Sequence, residues 1–136
     1  MTDTAFASHA VAGVQRFGVG PRYSEAAVFN GVVYLAGMVP ECAELDIRSQ
    51  TANILAQIDA RLAEMGSDKS RLLRVQIYLA HISDIAAMNE VWDAWVAPGH
   101  APPRATVEAR LARADWKIEV VATAAQYPGT PPATPT

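Results

Sequence analysis

The chain has 136 residues, 51% of them hydrophobic and 18% charged. That is one domain's length of chain, able to bury about two thirds of its unfolded surface, and it excludes a chain unfolded over most of its length. Eleven Lys and Arg against fourteen Asp and Glu leave a net charge of −3, the wrong sign for a protein whose main ligand is a phosphate backbone. No apolar run approaches the ~18 residues of a membrane span. The single cysteine, Cys42, excludes an intrachain disulfide and a Cys cluster for zinc or iron–sulfur. Met1–Ala10 carries Asp3 and neither a basic residue nor an apolar core, so no secretory signal is read there and a reducing cytoplasm is the expected compartment.

In chain order, residues 1–14 are small and mixed without a period, and read as a loosely held arm. A single domain is expected over 15–126, since no Pro/Gly/Ser linker divides it and no repeat recurs. Residues 127–136 are Pro/Thr-rich and read as an extended, disordered tail. Ser24–Phe29, Asn30-Gly31 and Val32–Gly37 predict a hairpin, because Asn-Gly supplies the two positive-φ positions of a tight type I′ turn. Pro40 is expected to end its second strand. An extra strand before Ser24 is left open.

Asp46–Met65 is the clearest helix. Ile47, Thr51, Ile54, Leu55, Ile58, Leu62 and Met65 recur on one face, Arg48, Gln57, Arg61 and Glu64 fall elsewhere on the surface, and Gly66 offers a C-terminal cap. Arg71–Ala80 alternates, with Leu73, Val75, Ile77 and Leu79 on one side and Arg74, Gln76 and Tyr78 on the other, as in a half-buried strand. Ser83 is the expected N-cap of a second helix with Ile85, Met88, Trp92 and Trp95 or Val96 inward, stopped by Pro98-Gly99. Arg104–Leu111 and Lys117–Gln126 read as two strands joined by a turn near 112–115. The order β-β-α-β-α-β-β predicts an α+β fold, a mixed β-sheet with two helices packed on one face. Helices on one side leave the Val, Tyr and Ala side chains of the other uncovered, and a second subunit is the economical cover.

Few residues are placed for chemistry. His9, His81 and His100 show no metal spacing, so no metal is expected. Gly13, Gly18 and Gly20 do not lie between a strand and a helix as a phosphate loop requires, and no GxSxG elbow occurs. Nothing near Cys42 in sequence lowers its pKa, so it reads as a bland loop cysteine. Arg104 follows Pro102-Pro103, which hold the backbone stiff and extended; its fork suits a bidentate grip on a carboxylate, against the ordinary alternative of a strand-end arginine in water. Glu119 interrupts the apolar Ile118-Glu119-Val120-Val121, and is either a solvated strand residue or a carboxylate positioning water in a pocket. Tyr23 and Glu25 have the same two readings. Trp92 and Trp95 read as core or interface filler rather than a base-stacking platform.

Tyr23, Val33-Tyr-Leu-Ala-Gly-Met-Val-Pro40, Gln50-Thr51, Asn53–Asp59, Met88-Asn89, Pro103-Arg104-Ala-Thr-Val107 and Lys117-Ile-Glu119 together resemble the RidA (YjgF) enamine/imine deaminase family over residues 23–125. Asn89-Glu-Val-Trp-Asp-Ala-Trp95 before Gly99-His-Ala-Pro-Pro-Arg104 is similar to its short YoaB-like branch. The resemblance implies a chorismate-mutase-like fold, a homotrimer with inter-subunit clefts, and no cofactor. It also implies hydrolysis of a small 2-imino acid to a 2-oxo acid and ammonia. By the same resemblance Arg104 clamps the substrate carboxylate, Glu119 positions the attacking water, and Tyr23, Gly37 and Thr106 bind substrate. A non-catalytic module binding small 2-oxo acids is the alternative. A ribonuclease or translation-inhibitor role fits the acidic balance poorly. Ala36 stands where serine is common, Glu25 where glutamine is usual, and the 38–45 loop is short.

Overall fold

The structure is a computed structural model that describes residues 13–130; of the expected arm and tail, residues 1–12 and 131–136 lie outside the described residues. The strands are β1 (Gln15–Val19), β2 (Ser24–Phe29), β3 (Val32–Leu35), β4 (Leu72–Leu79), β5 (Arg104–Glu108) and β6 (Ile118–Ala125). The helices are α1 (Ile47–Glu64) and α2 (Ile85–Trp95). The open strand before Ser24 is therefore present as β1. The sheet order is β1-β2-β3-β6-β4-β5, antiparallel throughout except for the parallel β4–β5 pair, which makes the sheet mixed. The last two strands do not pair with each other, because β4 lies between them.

Both helices cover one face. The alternate residues Val75, Ile77 and Leu79 of β4 and Ile118, Val120, Ala122 and Ala124 of β6 are buried there with Ile54, Leu55, Ile58 and Leu62 of α1 and Met88 and Trp92 of α2. The whole inward stripe predicted for α1 is buried. Asp46 caps α1 by accepting from the Ser49 N–H at 2.9 Å, and Gly66 past its end takes φ +77°. The hairpin turn also has its predicted chemistry, with Asn30 at φ 52° and Gly31 at φ 76°.

Four local expectations are corrected. The second hairpin strand stops at Leu35 rather than at Pro40. Tyr34 pairs with Thr123, but the next bridge is Met38 to Val120, so three residues of one strand face two of the other in a bulge that contains Gly37. Leu73 is 47% exposed, because a second irregularity between Leu72 and Arg74 moves Leu72 to the core and Leu73 away from it. Ser83 does not cap α2: Ile82–Asp84 winds as a 3-10 turn whose first N–H donates to Glu108 Oε1 at 2.9 Å, and α2 starts one turn later. Tyr127–Thr130, expected to open the tail, is held to the domain. The Tyr127 hydroxyl donates to Asp68 Oδ2 at 2.6 Å, its N–H donates to the Gly66 carbonyl, and the Arg71 guanidinium lies 4.9 Å from its ring centre.

The amides of α1 tie down the loops around the sheet. Gln50, almost fully buried, donates to the carbonyls of Glu44 (3.2 Å) and Asp115 (2.9 Å) and accepts from the Lys117 N–H (2.8 Å). Gln57, expected on the plain surface, donates to the Val39 carbonyl at 2.9 Å and to Asn53 Oδ1 at 2.8 Å, while that same oxygen accepts from the Glu41 N–H at 2.8 Å. The 38–45 loop is thus fastened from the helix side.

The bulge at Gly37 also shapes the site. A Cβ built there would fall on the Glu119 carboxylate, so only glycine lets that carboxylate lie over the strand. Gly37→Ala should lower the melting temperature, and Gly37→Ala/Glu119→Ala should recover much of the loss. Strictly additive losses in this thermal-unfolding cycle would mean that the carboxylate does not rest on Gly37. Gln50→Leu strands three backbone groups at once and should cost about 2 kcal/mol or more in urea unfolding.

Candidate active site

Arg104 opens β5 after the buried Pro102 and the exposed Pro103, and the Pro103 carbonyl accepts from the Val75 N–H at 3.0 Å, which locks the start of the strand to β4. Arg104 is opposite Val75, a core residue, so its side chain leaves the sheet on the helix side. There the guanidinium lies 5.0 Å from the Trp92 ring centre, and Nη1 approaches Met88 Sδ at 3.9 Å. Trp92, expected as filler, is therefore also the surface against which this cation is stacked. Burial pushes the Arg104 pKa below the ordinary arginine value, opposed by the charge of Asp93. Among the described residues, no ion pair engages this half-buried guanidinium.

Two further buried polar atoms have no hydrogen-bond partner among the described residues. Thr106 Oγ1, two residues along the same strand and facing the same way, is buried without a hydrogen bond. Asn89 Oδ1, on the turn of α2 between Met88 and Trp92, is buried and unpaired as well. Buried polar atoms are nearly always satisfied, so the Thr106 oxygen beside Arg104 on β5 and the Asn89 oxygen next to Met88 on α2 are both free to meet a polar ligand. Asn89 was not singled out from the sequence for chemistry. Its residue type on a helix is commonplace, and only its buried, unpaired oxygen distinguishes it.

Glu119 is opposite Tyr78 on β4, and its neighbours Ile118 and Val120 face the helices, so Glu119 leaves the sheet on the helix-free side. It is half-buried and lies against Gly37. Tyr23 is 65% exposed in the turn closed by the Gly20 N–H to Tyr23 carbonyl bond of 2.9 Å. It lines a concavity together with Ala36, the residue before Gly37. The structure thus sorts the candidate residues into two groups. Arg104 and Thr106 stand on the helix side of β5, and Glu119 and Gly37 stand together elsewhere, with Tyr23 on the wall that Ala36 shares. Arg104 and Glu119 of one chain are separated by β4, by three residues along that strand (about 10 Å), and by the thickness of the sheet.

The open face between these groups carries Tyr34 and Val107, 48% and 44% exposed, beside the half-buried Tyr78 and Val121. Among the described residues no three His, Cys, Asp or Glu side chains gather as a metal site requires. Among the described residues no helix is long and apolar enough to cross a membrane.

Residues 14–126 match the family model described as Endoribonuclease L-PSP. A RutC family protein from Haemophilus ducreyi is 49% identical over 112 residues, which cover 82% of this chain and 96% of that protein. The RutC family protein YoaB from Escherichia coli is 46% identical over 112 residues, covering 82% of this chain and 97% of YoaB. Among solved structures, a YjgF-family protein from Neisseria meningitidis aligns with a TM-score of 0.83 at 52% identity, over 85% of this chain and 97% of that one. With its mixed sheet, its two helices and these relatives, the chain belongs to the RidA/YjgF family and is one of its YoaB-like members.

Proposed function

We propose that this protein hydrolyses small 2-imino acids to 2-oxo acids and ammonia, at a site assembled from two copies of the chain. The observation that carries the reading is Arg104: a stacked, half-buried guanidinium engaged by no ion pair among the described residues, with unsatisfied oxygens on Thr106 of the same strand and on Asn89 next to Met88. A carboxylate is the partner such a planar cation takes most strongly. The Thr106 hydroxyl can donate to the same acid group, and Asn89 Oδ1 can accept an N–H of the iminium.

Glu119 is the candidate general base. It holds a water, takes its proton as the oxygen bonds to the imine carbon, and the resulting carbinolamine receives that proton on nitrogen. Glu119, a carboxylate again, takes the hydroxyl proton as the C–N bond breaks and passes it to the departing ammonia; one water is consumed and the 2-oxo acid remains. A protonated imine is already electrophilic, so holding the acid and the water in register supplies most of what the step requires. Since Arg104 and Glu119 of one chain leave the sheet on opposite sides, the pair meets only if a neighbouring copy brings its Glu119 to this chain's Arg104. An assembly that sets the edge strand β5, with its Arg104, against the open face of a neighbouring copy accomplishes both, and the homotrimer with inter-subunit clefts is the form proposed for it.

The ribonuclease in the matched model's name is not the reading adopted, because the net charge of −3 opposes a polyanion as the main ligand. The test couples an amino-acid oxidase to the purified protein and follows semicarbazone formation from the released imine. Wild type should suppress trapping. Arg104→Gln should reduce the effect by about a hundredfold, through loss of a charge-assisted grip. Glu119→Gln should spare the binding of 2-oxo acids while abolishing turnover. Mixing Arg104→Gln and Glu119→Gln chains under conditions of subunit exchange should restore roughly a quarter of wild-type activity, because one interface in four then holds both intact groups. Binding of 2-oxo acids without any imine hydrolysis would instead make the protein a carboxylate-binding module, and an inactive mixture of active-in-principle chains would reject the shared site.

A further inference from the structure

The helix-free face carries a second basic feature that the hydrolytic scheme leaves unused. Arg16 on β1 and Arg22 in the turn before β2 line one open concavity of about 460 Å³ together with Tyr23, Tyr34 and Ala36. No Asp or Glu lines that concavity, and among the described residues neither arginine takes part in an ion pair. In a chain of net charge −3, two unengaged guanidinium groups on one wall are a local reversal of sign.

The acid nearest in sequence, Glu25, is committed elsewhere. Its side chain lies over Gly18, where a Cβ would collide with it, and its Oε2 stands 3.8 Å from Arg61 Nη2 of α1. The negative charge that replaces the usual glutamine is thereby directed toward a helix arginine rather than spent on Arg22. The concavity also adjoins the proposed water site, since Ala36 lines it and the next residue, Gly37, carries the Glu119 carboxylate.

We propose that Arg16 and Arg22 form a subsite for a second acid group, so that the preferred ligands are dicarboxylic 2-imino and 2-oxo acids rather than monocarboxylic ones. This rests on the reading above, in which Arg104 of a neighbouring copy takes the carboxylate next to the imine carbon. The far carboxylate then extends along the Tyr23 wall to the two arginines, and the small side chain of Ala36 leaves that path open. Each planar fork offers paired N–H donors to a carboxylate, and the two together offset the water that an exposed arginine keeps.

The experiment compares pyruvate with oxaloacetate and 2-oxoglutarate by calorimetry on wild type, Arg22→Gln, Arg16→Gln and the double variant, so that binding is read without requiring turnover. The diacids should bind about tenfold or more tighter than pyruvate to wild type. That ratio should fall toward one in the double variant, and each single variant should lie between. Added salt should erode the preference, because these arginines are solvent-exposed. A wild-type ratio near one, or a ratio indifferent to both substitutions, overturns the subsite and leaves the imine reading standing if imine hydrolysis is seen. Absence of binding by any of the three acids, together with absence of imine hydrolysis, overturns both.

Discussion

A guanidinium drawn partly out of water, laid against an indole face and a thioether and engaged by no ion pair among the described residues, is the constraint on which the rest of the candidate site depends. Arg104 is held there by the chain itself: two prolines remove slack before it, the Pro103 carbonyl fastens the strand to β4, and Trp92 supplies a flat wall. Each of these elements lowers the entropy that would be lost on gripping an acid group. The Thr106 oxygen, two residues along the same strand, and the Asn89 oxygen, next to Met88, are buried and unpaired among the described residues.

The companion constraint is the approach of Glu119 to Gly37. The bulge between β3 and β6 puts a residue without a side chain under the carboxylate, and the buried bridge from Met38 to Val120 keeps the bulge in place. The two features cannot serve one reaction within a single chain, because strand alternation sends Arg104 and Glu119 to opposite sides of the sheet. The uncovered apolar strip of Tyr34, Val107 and their neighbours is the physical counterpart of that separation. Glu119 and this strip share the helix-free face, whereas Arg104 stands on the other side of the sheet, on the edge strand β5.

Much of the fold was legible in the sequence because it depends on local rules. The Asn30-Gly31 turn, the α1 stripe from Ile47 to Met65 and the terminating Gly66 each follow from a few adjacent residues, and each is present. Where reading failed, a long-range contact had intervened. Leu73 changed sides because β6 pairs with β4 through an irregularity, and Ser83 lost its cap role because Glu108, on another strand, takes the N–H of Ile82. Gln57 looked like ordinary helix surface until the 38–45 loop folded across it. At the site, the residue types and motif blocks at Arg104, Thr106, Gly37 and Glu119 were visible, whereas Asn89 and the stacking role of Trp92 were not.

By itself, the sequence determined which segments are strands and helices, that two helices share one apolar interior with a sheet, and which residues are able to grip an acid or hold a water. Only the tertiary structure decided on which side of the sheet each of them stands. Facing is set by strand register, and register here depends on two bulges and on one parallel pairing between β4 and β5, whose partners lie far apart in the chain. A shift of one residue in any of these would turn the side chains over, and no local pattern in the sequence records it.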